Sequence, residues 1–294
     1  MWQANHVRQR LLSAHPGLQV EIDGIATQAD RFLDTALPAL GGKGVFVKEL
    51  EQALLDGAAD LAVHSMKDVP VEVAAGLALP VMLARADPRD VLISSAYAGV
   101  QALTAGSRVG TSSLRRRSQL LHRRRDLRLM DVRGNVGTRL EKLDRGEFDA
   151  LILAAAGVAR LGFADRVREY LDPDVMLPAA GQGVLGIECR DGDKPTLKLI
   201  RPLDDPAAHA CVLAERAVSA RLFGGCHLPI AAYARIDRGG LILEALVASV
   251  DGSRLLRSRA TGEVSRSVEL GDALGRALLA QGAGEILKEI GHGS

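Results

Sequence analysis

The sequence predicts an α/β protein of two doubly wound lobes joined by a double crossover, with a small α+β domain at the C-terminal end. Three observations predict it. From residue 1 to about residue 178, short apolar runs alternate with stretches of helical period, the pattern of strands and helices in turn. A glycine-rich return, Ala179 to Gly183 (AAGQG), then leads into a strand-like run, Val184 to Cys189, expected to re-enter the first sheet. From Pro206 the pattern becomes one helix, three strands separated by Arg238-Gly239-Gly240 and Asp251-Gly252, and a final helix, Val268 to Ile290. The division that follows is residues 1–84 with 184–201 for lobe one, 89–178 for lobe two and 206–294 for the third domain.

Taken in order, Met1 to Ser13 places Ala4, Val7 and Leu11 on one helical face, and Pro16-Gly17 stops the helix. Leu18 to Ile25 alternates as a strand. A doubly wound unit ordinarily begins with a strand, so an opening helix points to a missing N-terminal strand. Asp30 to Gly44 reads as a loop ending in Gly41-Gly42-Lys43-Gly44, where small side chains let backbone approach a ligand and Lys43 adds charge. Val47 to Leu55 is an amphipathic helix, ended by Asp56-Gly57. A short strand, Leu61 to Val63, runs into His64-Ser65-Met66-Lys67-Asp68-Val69-Pro70. Hydroxyl, ammonium and carboxylate thus gather at the carboxyl end of a buried strand, where open α/β sheets bind ligands. Pro70 holds Val69 extended and keeps the loop open. A surface turn with a local Lys67–Asp68 pair would use the same residues. Leu77 to Ala84 is a further strand, and Arg85 to Arg89 crosses into a second unit. That unit reads strand (Val91 to Ser95), helix, strand, helix, strand (Leu151 to Ala154) and helix, ending near Pro178.

The second unit holds the strongest charge asymmetry in the chain. Residues 108–145 carry twelve Lys/Arg against four Asp/Glu, a net +8, whereas the whole protein is only +1. Something strongly anionic is expected there. Two strand-to-helix junctions organise the charge. At the first, Thr111-Ser112-Ser113 precedes a helix from Leu114, so hydroxyls and free backbone N–H groups collect at a helix N-terminus. Arg115 and Arg116 lie in its first turn, where a cation opposes the helix dipole, a cost that a ligand would explain. At the second, Arg133-Gly134-Asn135 turns into the helix Val136 to Arg145, with Arg139 one turn in. Guanidinium forks match carboxylate or phosphate oxygens. A solvated basic helix face is the alternative, above all for Arg123 to Arg125.

Composition removes several function classes. With 294 residues and 47% hydrophobic content the chain can bury a real core. Its longest apolar run, Ala150 to Ala159, is too short to cross a bilayer, and Arg8 and Arg10 interrupt the only candidate for a secretory core. The cytoplasm is therefore the expected compartment. An aromatic content of 3% argues against base-stacking surfaces. Cys189, Cys211 and Cys226 fit neither a disulfide framework nor metal-ligand spacing. Cys189 on an apolar strand and Cys211 on an apolar helix face read as small core residues. Cys226 instead follows two glycines and precedes His227 in a loop, where a thiol could be a nucleophile, a redox group or an attachment point. Adjacent residues rarely point at each other, so Cys226-His227 makes a poor catalytic dyad.

Seven segments together resemble the porphobilinogen deaminase (hydroxymethylbilane synthase) family: GGKGVFVKELE (41–51), DLAVHSMKDVP (60–70), VGTSSLRR (109–116), RGNVGTRL (133–140), PAAGQG (178–183), ERA (215–217) and GGCHLPI (224–230). They occur in the family's order and span nearly the whole chain. The resemblance implies lobes like those of periplasmic binding proteins. It also implies coupling of four porphobilinogen units into hydroxymethylbilane with loss of ammonia, on a dipyrromethane cofactor held by a thioether to Cys226. Each pyrrole bears an acetate and a propionate, which accounts for the basic stretch. By the same resemblance Asp68 is the catalytic carboxylate. It would stabilise positive charge on pyrrole N–H groups as ammonia departs, leaving an electron-poor azafulvene, and would relay the ring proton afterwards. Ser65, Lys67, Thr111, Ser113, Arg115 and Arg116 match positions that hold cofactor carboxylates. Arg133, Arg139 and Arg160 match substrate or growing-chain positions. Lys43 and Phe46 fall in a loop over the cleft, and Gln182 at a hinge-side contact. No metal is implied, the expected partner is porphobilinogen alone, and the expected state is a monomer without nucleic acid or membrane.

Two departures accompany the match. The family opens with a strand and an Arg-x-Ser-x-Leu-Ala segment just before Trp2-Gln3-Ala4, so this chain is expected to lack a central strand of lobe one, to fold poorly and to assemble cofactor inefficiently. Ala39 stands where the family often has lysine. Two other functions stay open at the level of residues: a solute-binding module clamping an organic anion between two lobes, and a nucleic-acid binder using residues 108–145. The first needs neither a third domain nor a loop thiol. A net charge near zero and the scarcity of aromatics disfavour the second.

Overall fold

In this computed structural model the described residues are 1–25, 47–222 and 228–291, and they build three sheets. Helix α1 (Trp2–Ala14) buries Val7 and Leu11 against Leu185 and Ile187 and ends before Pro16. Residues 18–23 alternate in burial, and Leu18 and Val20 pack on the same core, but residues 18–25 carry no regular secondary structure. They form no strand, contrary to the sequence expectation. A strand is defined by its hydrogen-bonded neighbour, and among the described residues none pairs with this segment. The loop Asp30 to Gly44 lies outside the described residues.

Helix α2 (Lys48–Leu55) lays Leu50 and Leu54 over Ala62 and Leu77. The lobe-one sheet runs β1 (Leu61–Ser65), β8 (Leu185–Arg190), β2 (Leu77–Met82), with β8 central and antiparallel to both neighbours. The chain segment after the return at residues 179–183 does therefore re-enter the first sheet, and Ile187 faces Val63 on one side and Val81 on the other.

Lobe two is a five-stranded sheet in the order β5 (Arg128–Met130), β4 (Arg108–Gly110), β6 (Ala150–Ala154), β3 (Asp90–Ile93), β7 (Val167–Leu171). The β4 strand is parallel to β5 and β6, and β3 is antiparallel to β6 and β7. Apolar cores lie on both faces, Leu151 and Leu153 serving one and Ala150 and Ile152 the other. That two-sided burial is why β6 reads as an unbroken apolar run rather than an alternating one. Helices α3 (Leu114–Arg123) and α4 (Val136–Asp144) follow β4 and β5. The helix expected from residue 155 towards Pro178 is instead short, α5 (Ala155–Arg160), followed by β7. Gly162 takes the left-handed conformation (φ +78°) that ends helices cheaply, and Val167, Glu169 and Leu171 then alternate with the exposed Arg168 and Tyr170.

Helix α6 (Lys194–Ile200) leads to the third domain, where α7 (Pro206–Arg221) and α8 (Ser267–Ala280) cover an antiparallel sheet, β11 (Leu255–Glu263), β10 (Gly240–Ala248), β9 (Ile230–Asp237). Leu241, Leu243, Ala245 and Val247 of β10 meet Ala214 and Val218 of α7 and Leu274 and Leu278 of α8. The final helix is broken at Gln281-Gly282 and resumes as α9 (Ala283–Gly291), so Ala283 and Ile286 can fold back onto the same core.

Several contacts seat this domain on the lobes, those at the β10–β11 hairpin and at Glu215 among them. At the tip of the β10–β11 hairpin, Gly252 touches α3 so closely that a Cβ would lie 2.4 Å from His122 N and 2.7 Å from the Ser118 carbonyl oxygen. The His122 ring bonds the Gly252 carbonyl through Nδ1 at 2.9 Å. Between the lobes the two crossings run side by side, with Leu83 N donating to Leu185 O (2.9 Å) and Ala86 N to Gly183 O (3.1 Å). Glu215 of α7, fully buried, joins them to the third domain. Its Oε1 accepts from Arg85 and from Ala234 N, and its Oε2 from Gly181 N, all at 2.7 Å.

Candidate functional site

The strand β1 ends in a single 3-10 turn, Met66–Asp68, which delivers Lys67 and Asp68 to a cleft between the lobes. The turn is held from behind. Met66 N donates to Val184 O at 3.0 Å, and Gly181, at φ +72°, lies where a Cβ would be 2.7 Å from Met66 Cβ. Only glycine lets the hinge backbone come so near the turn. From lobe two the cleft receives Ser112, Ser113, Arg115, Arg116 and Arg139; the hinge contributes Ala179, Ala180 and Gln182, and the third domain Arg216, Ser219, Leu228 and Ile230. Among the described residues Asp68 is the only carboxylate on this lining, against Lys67 and four arginines. No described side chain or backbone N–H hydrogen-bonds the Asp68 carboxylate.

Arg115 and Arg116 are buried and engaged. Arg115 NH1 donates to Asp90 Oδ2 and to Leu177 O, both at 2.7 Å; Arg116 Nε donates to Asp90 Oδ1 at 3.0 Å and its NH1 to Ile152 O at 3.1 Å. Gln182 Nε2 adds bonds to Asp90 Oδ1 (3.0 Å) and Pro88 O (2.6 Å), while Gln182 Oε1 accepts from Arg115 at 3.3 Å. Burial alone would raise the Asp90 carboxyl, but the two guanidiniums overcome it and hold its pKa at about 2. The first-turn arginines that oppose the α3 dipole are therefore repaid in part by a protein carboxylate. One carboxylate against two guanidiniums still leaves a positive site. Burial pushes Arg115 down, with Asp90 opposing. Burial likewise lowers Lys67 against the pull of Asp68, and lowers Arg139, helped by Arg116 and Arg133 and opposed by Asp68. Each shift marks a cation held in poor solvation, a state that an anionic ligand relieves.

The remaining sequence-derived positions stand around this lining. Ser113 is the N-cap residue of α3 and its side chain makes no capping bond, so its hydroxyl is left for the cleft. Thr111 is buried and accepts from Ser113 N at 3.3 Å, shaping the junction from behind. Ser65 Oγ accepts from Gln3 Nε2 at 2.7 Å, linking α1 to the end of β1. Arg139 Nε donates to Gly134 O at 2.8 Å, and Arg133 is half-buried beside the same turn. Arg160 donates to Gly183 O (3.3 Å) and stacks over the Trp2 ring at 5.3 Å, its basicity lowered by burial. Lys43, Phe46 and Cys226 lie outside the described residues. Sequence reasoning missed Asp90, which fell between the crossover Arg85 to Arg89 and the strand from Val91 without a reading, and Arg216, which was legible as part of the ERA segment but without a role.

The match to known families decides among the readings left open by the residues. Residues 1–198 match "Porphobilinogen deaminase, dipyromethane cofactor binding domain", and residues 209–280 match "Porphobilinogen deaminase, C-terminal domain". The chain belongs to the porphobilinogen deaminase family. Members polymerise porphobilinogen into hydroxymethylbilane in tetrapyrrole biosynthesis, on a dipyrromethane cofactor. Among solved structures, similarity extends to the periplasmic VFT2 domain of Bordetella pertussis BvgS, with 20% identity, 67% of this chain, 74% of that one and TM-score 0.37. A periplasmic substrate-binding protein of an ABC transporter from Coxiella burnetii is similar at 14% identity over 71% of this chain and 89% of that one, with TM-score 0.43. These likenesses are too distant to bear on function. Among the described residues no helix is long and apolar enough to cross a membrane.

The donor set suits a dipyrromethane. Ammonium, guanidinium and hydroxyl groups of Lys67, Arg115, Arg116, Arg139, Ser112 and Ser113 would hold its carboxylates, and Asp68, whose carboxylate takes no hydrogen bond from the described residues, would accept from its pyrrole N–H groups.

Proposed function

We propose that Asp68 is the catalytic carboxylate of a cytoplasmic, monomeric porphobilinogen deaminase, and that Cys226 is the attachment point of its cofactor. The observation that carries this is that, among the described residues of the cleft lining, Asp68 is the one carboxylate and stands with Lys67 and four arginines. When bound, the dipyrromethane supplies the pyrrole to which successive porphobilinogen units are joined. Lys67, Ser113, Arg115 and Arg116 hold its carboxylates, with Ser65 and Thr111 supporting them from behind. Arg133, Arg139 and Arg160 take the carboxylates of incoming and added units, Gln182 sets the hinge side, and Lys43 and Phe46 cover the cleft. Asp68 accepts hydrogen bonds from the pyrrole N–H groups at the reacting position. As ammonia leaves the aminomethyl carbon, positive charge spreads to the ring nitrogen, and a fixed carboxylate stabilises that charge more than it stabilises the neutral substrate. The same carboxylate takes the proton released from the ring carbon once the new carbon–carbon bond has formed.

Leu228 lines the cleft and lies two residues from Cys226, a separation that chain geometry limits to about 7 Å. This reach supports the attachment assignment. The domain division at 1–84 with 184–201, 89–178 and 206–294 is proposed on the same footing, each part holding one sheet.

Intact-mass measurement tests the reading. The native chain is expected to carry the mass of a dipyrromethane, Cys226→Ser to lack it, and Asp68→Asn to retain it while turnover stalls. A bare polypeptide mass in the active native protein would rule out Cys226, and undiminished turnover in Asp68→Asn would rule out Asp68.

A further inference from the structure

Arg216 belongs to α7 of the third domain, but its guanidinium reaches into lobe one. NH1 donates to Val69 O at 3.2 Å, and NH2 to Pro70 O at 2.7 Å and to Val71 O at 2.8 Å. These are the three residues that directly follow Asp68. Among the described residues neither a ladder nor a helix takes their carbonyls, and one planar fork serves all three, which a lysine ammonium matches less well. At its other end the same loop is anchored by Met66 N on Val184 O, 3.0 Å, and Val69 N closes the turn on Met66 O at 3.3 Å. Asp68 therefore stands between two backbone anchors, and no described group hydrogen-bonds its carboxylate directly. Its aim is set by where the loop is held.

We propose that Arg216 is a positioning residue for Asp68, and that it refers the catalytic carboxylate to the helix that also leads to the cofactor thiol. Helix α7 ends at Arg221, and Cys226 follows five residues later. The helix thus holds the loop that carries the carboxylate through the Arg216 fork. Docking of the third domain becomes a condition for turnover, beyond its part in holding cofactor. The inference rests on the assignment of Asp68 and adds a residue that acts through it.

The test is a double-mutant comparison in the full-length holoprotein, reading the adduct by intact mass, and kcat and KM with porphobilinogen. Arg216→Met is expected to keep the adduct, to lose about tenfold to a hundredfold in kcat, and to hold KM within about threefold, since a loop displaced by about 1 Å misplaces the carboxylate without removing a ligand contact. Arg216→Lys is expected to recover part of the lost kcat. In the Asp68→Asn background, Arg216→Met should change the residual rate by less than about twofold, because an effect transmitted through Asp68 has nothing left to act on. Equal losses in both backgrounds, or a loss confined to KM or to the adduct, would overturn the positioning role. If Arg216→Met does not fold, Arg216→Lys carries the same comparison, with a smaller kcat loss that must again vanish beside Asp68→Asn. Failure of the underlying assignment shows separately, as wild-type turnover in Asp68→Asn alone.

Discussion

Replacing Asp90 by asparagine removes a charge and almost nothing else. The carboxylate is completely buried and accepts from Arg115, Arg116 and Gln182 at 2.7 to 3.0 Å. An amide of the same size leaves two buried guanidiniums without a counter-ion and turns an N–H towards at least one of them. Removing one partner of a buried ion pair costs about 3–5 kcal/mol. Part of that cost has a pH signature whose sign is fixed by the pKa. The carboxyl falls from 3.8 to about 2 on folding, so its contribution is complete above the unfolded value and is lost as pH falls through the folded one. At about 1.4 kcal/mol per unit, the titrating part is roughly 2 kcal/mol, of which about 1 kcal/mol is gone by about pH 3. Urea unfolding of native chain and Asp90→Asn at about pH 7, 4 and 3 is the assay, and the stability gap should narrow only over the acid end of that range. A variant as stable as the native chain at neutral pH would refute the view that Asp90 holds the two arginines in place. So would a gap that does not change with pH.

Other outcomes are equally direct. Gly252→Ala puts a Cβ into the backbone of α3 at a left-handed position (φ +71°), and should cost about 2–4 kcal/mol, read as a lower Tm with an unchanged cofactor adduct. Glu215→Ala strands the Arg85 guanidinium and two buried backbone N–H groups, and should destabilise by at least about 3 kcal/mol in urea unfolding. Asp68→Asn should lower kcat by a hundredfold or more, on the order of 10², without loss of the adduct, checked by product formation alongside intact mass.

The parts of the site legible in the sequence were those in which chemistry is local. Lys67-Asp68 after a short buried strand, the hydroxyls before α3 and the glycines of the return each carry their meaning within a few residues. Asp90 was not legible, because its role depends on two arginines 25 and 26 positions away reaching across the sheet from α3. Arg216 was hidden for the same reason: its three acceptors lie 145 to 147 residues back, in another domain. The missed β7 has a local cause, since its alternation is only five residues long and follows an apolar run that suits a helix equally well. Residues 18–25 show the opposite limit. Alternation marks a segment that can pair, but pairing needs a neighbour that no single segment contains.

By itself, then, the sequence determined most of the order of strands and helices, the concentration of positive charge in lobe two and the family to which the chain belongs, because period, composition and contiguous motifs are properties of neighbours along the chain. Only the tertiary structure decided which charges compensate one another. Arg115 and Arg116 are shared between a buried Asp90 and the cleft, and Asp68 is left without a donor among the described residues while its loop is held from the third domain. Electrostatic and hydrogen-bond energies depend on distance and burial in space, and distance along the chain fixes neither.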